Sequence, residues 1–143
     1  MTGFFGIGIW HTKTEANVGT LMRTAHSLGA AFVYTIGRRY HKQASDTTNA
    51  RGHIPLYHYD NVASLKNHLP HGCPLVGVEL HESSIPCSEF AHPRQACYLL
   101  GAEDHGLSKE IIEACHRILI LPGQFCHNVA VAGGMVLYDR HVK

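Results

Sequence analysis

The chain alternates short apolar runs with segments in which apolar residues recur at helical spacing. Each run is bounded by turn residues, which is typical of a buried strand. Alternation of such strands with helices is typical of an α/β domain with a largely parallel sheet, and we therefore predict a sheet flanked by helices. Buried strands are predicted at residues 4–9, 32–36, 74–78, 97–100 and 118–121.

The segments between and after these strands carry signals for helix ends. Gly29 ends the first helix, and Ser108 can cap the third, whose first turn contains the favoured Glu110. The pair Gly133 and Gly134 lowers the helix propensity of the last helix and indicates close packing there. The predicted helices cover residues 18–28, 60–67 with Asp60 as cap, 109–114, and 129–140 with Asn128 placed to cap it.

Length and composition fit one globular domain. The chain has 143 residues, of which 45% are hydrophobic and 16% charged. This provides enough apolar material for one core, and it is not the composition of a disordered chain. We therefore interpret residues 1–143 as a single domain. Because the formal net charge is only +1, a surface that binds nucleic acid must be local.

A basic cluster after the second predicted strand is one candidate for such a surface. Arg38, Arg39 and Lys42 surround Tyr40, and Arg51 follows. The cations can meet phosphates, and the tyrosine can stack on a base. A solvated loop explains the same residues equally well, so both interpretations stay open.

Cysteines and histidines are numerous, at 5 and 13 respectively. The cysteine number is odd, and there is no CxxC spacing, signal peptide or long apolar segment, so we expect free thiols, a cytoplasmic location and no membrane span. The adjacent pairs Cys115-His116 and Cys126-His127 suit zinc poorly, since neighbouring residues point in different directions. We expect no metal. A Cys126/His127 hydrolase is disfavoured as well, because no third orienting group is recognisable.

Three segments place glycines, amides or charges at the ends of strands, where open α/β sheets bind ligands. The first, residues 17–25, contains Asn17 and Arg23. Taken alone, Asn17 is most simply a helix cap and Arg23 a surface charge.

The second and third segments follow predicted strands. Residues 99–107 turn at two glycines, and Glu103 between them can orient an arginine or lie in solvent. Residues 120–132 contain Asn128 after a turn that can wrap around a ligand. Each of these segments permits a site, and none of them alone requires one.

The ordered combination of these segments resembles the SpoU/TrmH family of RNA methyltransferases, in the SPOUT superfamily. Asn-Val-Gly-x-x-x-Arg-Thr-Ala-x-x-x-Gly at 17–29 resembles its first motif, Leu-x-Gly-x-Glu-x-x-Gly-Leu at 99–107 its second, and Asn-Val-Ala-Val-Ala at 128–132 its third. Each motif alone is weak, but the three occur in the family's order and approximate spacing over nearly the whole chain. The chain is therefore identified as a minimal, single-domain member of this family.

The resemblance implies an α/β fold whose C-terminal segment forms a deep trefoil knot, an exception to the usual absence of knots. A helix packed against threaded backbone needs small residues, which would explain Gly133 and Gly134. The resemblance also implies S-adenosyl-L-methionine as methyl donor, bound by loops into which Gly77 and Gly101 let the chain approach closely. The implied cofactor-binding residues are Gly77, Val78, Glu79, Leu100, Gly101, Ile120, Leu121, Val129 and Ala130.

The methyl acceptor implied by the resemblance is a ribose 2′-hydroxyl in RNA, with tRNA favoured over rRNA for a chain of this size. Arg23 would activate the hydroxyl, Asn17 and Glu103 would hold the arginine and a substrate phosphate, and Asn128 would complete the site. A guanidinium, with a pKa above about 12, is a poor base. We therefore expect it to orient the hydroxyl while a phosphate oxygen or water accepts the proton.

Family members of this size generally act as homodimers, whose RNA cleft Arg38, Arg39, Lys42 and Arg51 would line. Where the family usually has Ser-Leu before the third motif, this chain has Cys126-His127, and a thiol is a weaker hydrogen-bond donor than a hydroxyl. A catalytically impaired module that binds RNA or cofactor is therefore an alternative. A methyltransferase acting on a base nitrogen and a flavodoxin-like nucleotide-binding regulator are two others.

Overall fold

The computed structural model describes residues 3–12, 14–37, 52–101, 106–124 and 126–143. Within these ranges a sheet of seven strands lies between two layers of helices. The strands are β1 (Phe4–Trp10), β2 (Phe32–Ile36), β3 (Leu56–Tyr59), β4 (Leu75–Val78), β5 (Ile85–Pro86), β6 (Gln95–Leu100) and β7 (Arg117–Ile120). The helices are α1 (Glu15–Ser27), α2 (Val62–Asn67), α3 (Lys109–Ala114) and α4 (Val129–Val142), with a short 3-10 helix at Cys87–Glu89.

The strand order is β3-β2-β1-β6-β4-β7-β5, and every neighbouring pair is parallel. The predicted α/β fold with a parallel sheet is therefore confirmed. From β1 the chain first builds outward to β3, and the later strands lie on the other side of β1. A parallel sheet with such a reversal forms its ligand crevice at the carboxyl ends of the strands.

Two apolar cores cover the two faces of the sheet. Helices α1 and α4 close one face, where Leu21 and Val136 are fully buried, and α2 and α3 close the other. Fully burying a side chain of this size contributes about 1.5–3 kcal/mol. On the second face, the rings of Phe32 and Tyr34 occupy the space that side chains at Gly6 and Gly8 would need. These two positions of β1 therefore require glycine, because a larger residue would collide with the aromatic rings of β2.

Sequence reasoning located every predicted strand and helix to within a few residues, with the end signals partly misassigned. The caps at Ser108 and Asn128 are confirmed. Asn61, rather than Asp60, caps α2, and its Oδ1 accepts from the Ser64 N–H at 2.8 Å. The cap of α1 is Thr14, so Asn17 lies inside the first turn and the interpretation of it as a cap is wrong.

The remaining strands, β3 and β5, were not predicted. β3 is an edge strand that is mostly half-buried, and β5 is only two residues long and contains a proline. Short edge strands carry little of the continuous apolar pattern that marks buried ones.

Close packing of α4 is confirmed at one glycine of the pair. A Cβ on Gly133 would lie 2.5 Å from Leu21 Cδ1 and 3.0 Å from Leu100 Cδ1, whereas one on Gly134 would make an ordinary 3.7 Å contact with Thr24. The atoms nearest to Gly133 belong to side chains of α1 and the sheet. Threaded backbone is therefore not what requires a small residue at Gly133.

Candidate functional site

The first and third sequence motifs meet through two asparagines that lie 111 positions apart. Asn128 Oδ1 accepts from the N–H groups of Ala130 and Val131, at 2.9 and 3.2 Å, and so caps α4. These donors identify which side-chain atom is oxygen, and leave Asn128 Nδ2 to donate to Asn17 Oδ1 at 3.1 Å. Asn17 is buried in the first turn of α1. One amide therefore both starts α4 and holds α1 against it.

Arg23 lies on the same helix as Asn17 but on a different side. They are six positions apart, which corresponds to about 9 Å along the helix and a rotation of about 120°. Arg23 is exposed, whereas Asn17 faces the start of α4. The two motif residues therefore do not share one surface of the helix.

Glu79, at the end of β4, joins three segments of the chain. Its Oε2 accepts from the Leu107 N–H at 2.7 Å, and its Oε1 accepts from the Leu80 N–H at 2.8 Å. Its own N–H donates to the Leu119 carbonyl at 3.0 Å. Gly106 has a φ of +61°, and a Cβ there would collide with the Glu79 carboxylate. Sequence reasoning assigned Glu79 to the cofactor and missed this bracing role.

The two glycines that are expected to let the chain approach a cofactor are also required by packing within the chain. A Cβ on Gly77 would lie 2.9 Å from Cys115 Sγ and 3.2 Å from Leu107 Cδ1. A Cβ on Gly101 would lie 2.6 Å from the Leu107 backbone N and closer still to Gly106. The two ends of the second-motif turn are thus packed backbone to backbone. Glu103 lies between them, outside the described residues.

The predicted cofactor-binding segments come together at one edge of the sheet. Val78 is in register with Leu100 on one side and with Leu119 on the other, so the ends of β4, β6 and β7 are neighbours. The side chains of Val78, Ile120 and Leu121 are half-buried there. These adjacent strand ends form a partly open apolar rim with main-chain groups beside it.

At the start of α4, Val129 and Ala130 are buried in the core. The N–H of Ala130 is already bonded to Asn128, so this group does not face a ligand. Just before the helix, His127 Nε2 donates to the Pro122 carbonyl at 2.7 Å and braces the loop, while Cys126 is exposed. Where family members usually have leucine, this chain therefore has a hydrogen-bonding brace.

The other Cys-His pair, Cys115 and His116, has structural roles. His116 Nδ1 accepts from the Leu75 N–H at 2.9 Å, which ties β4 to the start of β7. Burial raises the pKa of the Cys115 thiol to about 11, so it stays protonated at neutral pH. In the described ranges, no three His, Cys, Asp or Glu side chains are grouped so as to hold a metal. None of the described helices has both the length and the apolarity that a membrane span requires.

The basic cluster falls where the structure gives no description. Arg38, Arg39, Lys42 and Arg51 lie outside the described residues, and their assignment to RNA stays a prediction.

A parallel sheet whose half-buried apolar strand ends and braced loops meet at its carboxyl edge is typical of α/β domains that bind ligands at that edge, and solved structures share this fold. The SpoU methyltransferase AviRb from Streptomyces viridochromogenes, in complex with AdoMet, aligns with 99% of this chain and 58% of its own, with a TM-score of 0.87 and 19% identity. A structure concerning the 2-OH methylation of C/U34 on tRNA aligns with 98% of this chain and 97% of its own, with a TM-score of 0.82 and 22% identity.

The chain belongs to the SpoU rRNA Methylase family, whose profile matches residues 5–138. The resemblance drawn from the motifs is therefore confirmed. One curated relative is the tRNA (guanosine(18)-2′-O)-methyltransferase of Escherichia coli (strain K12), which is 25% identical over 129 residues. That match covers 86% of this chain and 56% of the relative, so the chain spans little more than half the length of the E. coli enzyme.

Proposed function

We propose that this chain is an S-adenosylmethionine-dependent RNA methyltransferase that transfers a methyl group to a ribose 2′-hydroxyl. The observation that carries the proposal is the hydrogen bond between Asn128 and Asn17, because it joins the first and third family motifs beside the strand ends expected to bind cofactor. The named activities of the relatives point the same way, since the E. coli relative is a tRNA 2′-O-methyltransferase.

The rim formed by Val78, Ile120 and Leu121 fits the cofactor chemically, because an adenosyl group needs apolar surface together with main-chain hydrogen-bonding groups. In the proposal these residues hold the adenosyl group with Gly77, Leu100 and Gly101 behind them, and Glu79 keeps the loops in place. When bound, S-adenosylmethionine supplies an activated methyl group on a sulfonium. AviRb, which has the same fold, was crystallised with this cofactor.

Arg23 and Asn17 supply the acceptor side of the proposed reaction. Arg23 is exposed on α1 and always charged, so it can bind a substrate phosphate and hold the ribose hydroxyl in line with the methyl group. Glu103 would restrain Arg23, and the hydroxyl proton would pass to a phosphate oxygen or water. Asn128 would position Asn17.

We also propose that the active species is a homodimer. On α4, three exposed apolar residues, Val131, Tyr138 and Val142, fall within about 40° of one another around the helix axis. They form a stripe that a second copy of the chain would cover. Since α1 packs beside α4, Arg23 would then lie near the dimer interface, where an RNA cleft lined by the basic cluster can form.

The finer features of the proposal rest on the solved structures. A deep trefoil knot in the C-terminal segment is proposed from the likeness to SpoU methyltransferases. The preference for tRNA is supported by the structure concerning C/U34 on tRNA, because the alignment covers 98% of this chain and 97% of that one. We place the protein in the cytoplasm as one SpoU-type domain, consistent with its free cysteines.

The test measures transfer of tritiated methyl groups from S-adenosylmethionine to total tRNA, and separately to rRNA, from a strain that lacks the gene. Wild type is compared with Arg23→Ala and with the control Arg117→Ala, which removes an exposed arginine at the opposite end of the sheet. We expect label in tRNA with wild type and Arg117→Ala, and a loss of at least about 100-fold with Arg23→Ala. Nucleoside mass spectrometry should place the methyl group on the ribose.

Two outcomes would replace the proposal. Label on a base nitrogen would make the protein a base methyltransferase. Cofactor binding without transfer to any RNA would make it a binding module, in which case Cys126-His127 is the first departure to revert, as Cys126→Ser with His127→Leu.

A further inference from the structure

The C-terminal end of α4 is fastened to the rest of the domain by a polar cluster that the proposed reaction does not use. This C-terminal latch consists of His92, Tyr98, Asp139, Arg140 and Lys143. Arg140 is 1% exposed and His92 is 6% exposed, so charged and titratable groups are held inside the fold. The latch connects α4 to the segment before β6 and to β6 itself.

Arg140 makes the anchoring bonds of the latch. Its Nη1 donates to the Pro93 carbonyl at 2.6 Å and to Tyr98 Oη at 3.1 Å, and its Nη2 donates to the Arg94 carbonyl at 2.7 Å. The guanidinium also lies 4.5 Å from the centre of the Phe5 ring. Lys143 Nζ donates to the carbonyls of Cys87 and Phe90, at 2.6 and 3.1 Å, and contacts Asp139 Oδ2 at 2.8 Å.

The hydrogen bonds of His92 determine where its proton lies. Its Nε2 is 2.7 Å from Asp139 Oδ2, and an ionised carboxylate only accepts, so Nε2 carries the hydrogen. Its Nδ1 is 2.7 Å from Tyr98 Oη. In a neutral ring with its hydrogen on Nε2, Nδ1 is an acceptor, so the Tyr98 hydroxyl donates to Nδ1 while Tyr98 Oη accepts from Arg140. Both ring nitrogens of His92 are therefore satisfied when His92 is neutral.

Protonating His92 would break this arrangement. Nδ1–H would then need the Tyr98 oxygen as its acceptor, so the Tyr98 hydroxyl hydrogen would have to turn away from the only acceptor described for it in a buried space, which is costly. The added charge would also face the cations Arg140 and Lys143, with Asp139 as the single carboxylate of the latch. Among the described residues, the Cys87 thiol and the rings of Phe5 and Phe90 also border the latch. Burial raises the pKa of the Cys87 thiol to about 11, so these neighbours are uncharged at neutral pH.

We infer that the C-terminal latch is a proton-dependent catch, which holds the last turns of α4 at neutral pH and releases them when mild acid protonates His92. Burial, together with the two nearby cations, lowers the pKa of His92 below its ordinary 6.5 although Asp139 opposes the shift. The unfolded chain therefore binds this proton first. The stabilisation is complete above pH 6.5 and is lost as the pH falls from there through the folded-state value.

The latch fastens the far end of the helix whose start joins the first and third motifs. α4 has 14 residues and spans about 21 Å, with the latch at its end and the Asn128 cap at its start.

The test is hydrogen exchange by mass spectrometry on the full chain between pH 5 and 8, with rates corrected for the intrinsic pH dependence of exchange. We expect protection of residues 136–143 to fall in acid by up to about tenfold per pH unit, while β2 serves as the internal reference. His92→Gln keeps a donor for Asp139 but cannot titrate, so its profile should be flat. The control His141→Gln removes an exposed histidine from the same turn and should keep the wild-type slope.

Asp139→Asn provides a second, signed test. Removing the carboxylate disfavours the charged imidazole inside the fold, so the fall in protection, which still begins near pH 6.5, should continue to lower pH than in wild type. A flat wild-type profile, an unchanged slope in His92→Gln, or a fall that ends at higher pH in Asp139→Asn than in wild type would each overturn the inference. If His92→Gln does not fold, wild type and Asp139→Asn still decide the matter. No step depends on methyl transfer, so these results are independent of the proposed activity.

Discussion

Replacing Asn128 with alanine should measure how strongly the first and third motifs are joined. The substitution removes the cap of α4, worth about 1 kcal/mol for this type of change, and the 3.1 Å bond to Asn17, worth about 0.5–1 kcal/mol net. We therefore expect a loss of about 1.5–2 kcal/mol in the free energy of unfolding. For a domain of 143 residues, that lowers the melting temperature by about 5–7 °C.

The chain offers a matched control for the capping contribution. Asn61 caps α2 with the same side chain, through a 2.8 Å bond from the Ser64 N–H, and within the described ranges its side chain bonds to no other segment. Asn61→Ala should therefore cost about 1 kcal/mol, less than Asn128→Ala. Asn128→Asp keeps an acceptor for the cap but loses the donor for Asn17, so its loss should be between zero and about 1 kcal/mol.

Urea unfolding monitored by circular dichroism at neutral pH and at one fixed protein concentration would give these values, since an oligomer's stability depends on concentration. If Asn128→Ala destabilised no more than Asn61→Ala, the bond between Asn128 and Asn17 would contribute nothing. The reasoning that joins the two motifs through this bond would then be refuted.

Three further predictions follow from local geometry. Gly106→Ala should lower the free energy of unfolding in urea by at least about 2 kcal/mol, because the φ of Gly106 is +61° and a Cβ there would collide with the Glu79 carboxylate. An unchanged free energy would contradict the bracing role of Glu79. In the same assay, Gly134→Ala should raise the free energy of unfolding by about 0.5–1 kcal/mol, because the added methyl group fits and alanine favours the helix. Gly133→Ala should lower it by about 1–3 kcal/mol, because the methyl group would meet Leu21. A change in the same direction for both variants would refute this packing of α4. With a thiol reagent at pH 8, the exposed Cys126 should react first and Cys126→Ser should abolish this fast phase, because burial raises the pKa of the other thiols.

The sequence predictions were correct where the interacting residues are close together in the sequence. The cap of α3 at Ser108 was predicted correctly because the acceptor and the N–H that it satisfies are three residues apart. The cap of α2 was assigned to Asp60 although Asn61 provides it, since both residue types cap helices and the choice depends on where the backbone turns. Asn17 was misread for the same reason, as the helix begins at Glu15.

The motif residues could be recognised, but the reasons for several of them could not. The glycines at 77 and 101 were expected to admit a cofactor, and their close neighbours are Cys115, Leu107 and Gly106. Sequence alone cannot show this, because those neighbours are brought to the glycines by the pairing of β4 with β6 and β7. The same limit hid the latch, whose histidine and aspartate lie 47 positions apart.

Neighbouring residues were sufficient to predict the four described helices, five of the seven described strands, the parallel α/β class and the family, because apolar periodicity, end signals and ordered motifs lie in short stretches of the chain. Three contacts are visible only in the folded chain: Asn128 bonds Asn17, Glu79 braces the second motif, and His92 lies between Asp139 and Tyr98. Those contacts depend on how distant segments pack, and on burial, which sets both the geometry and the pKa of the groups involved.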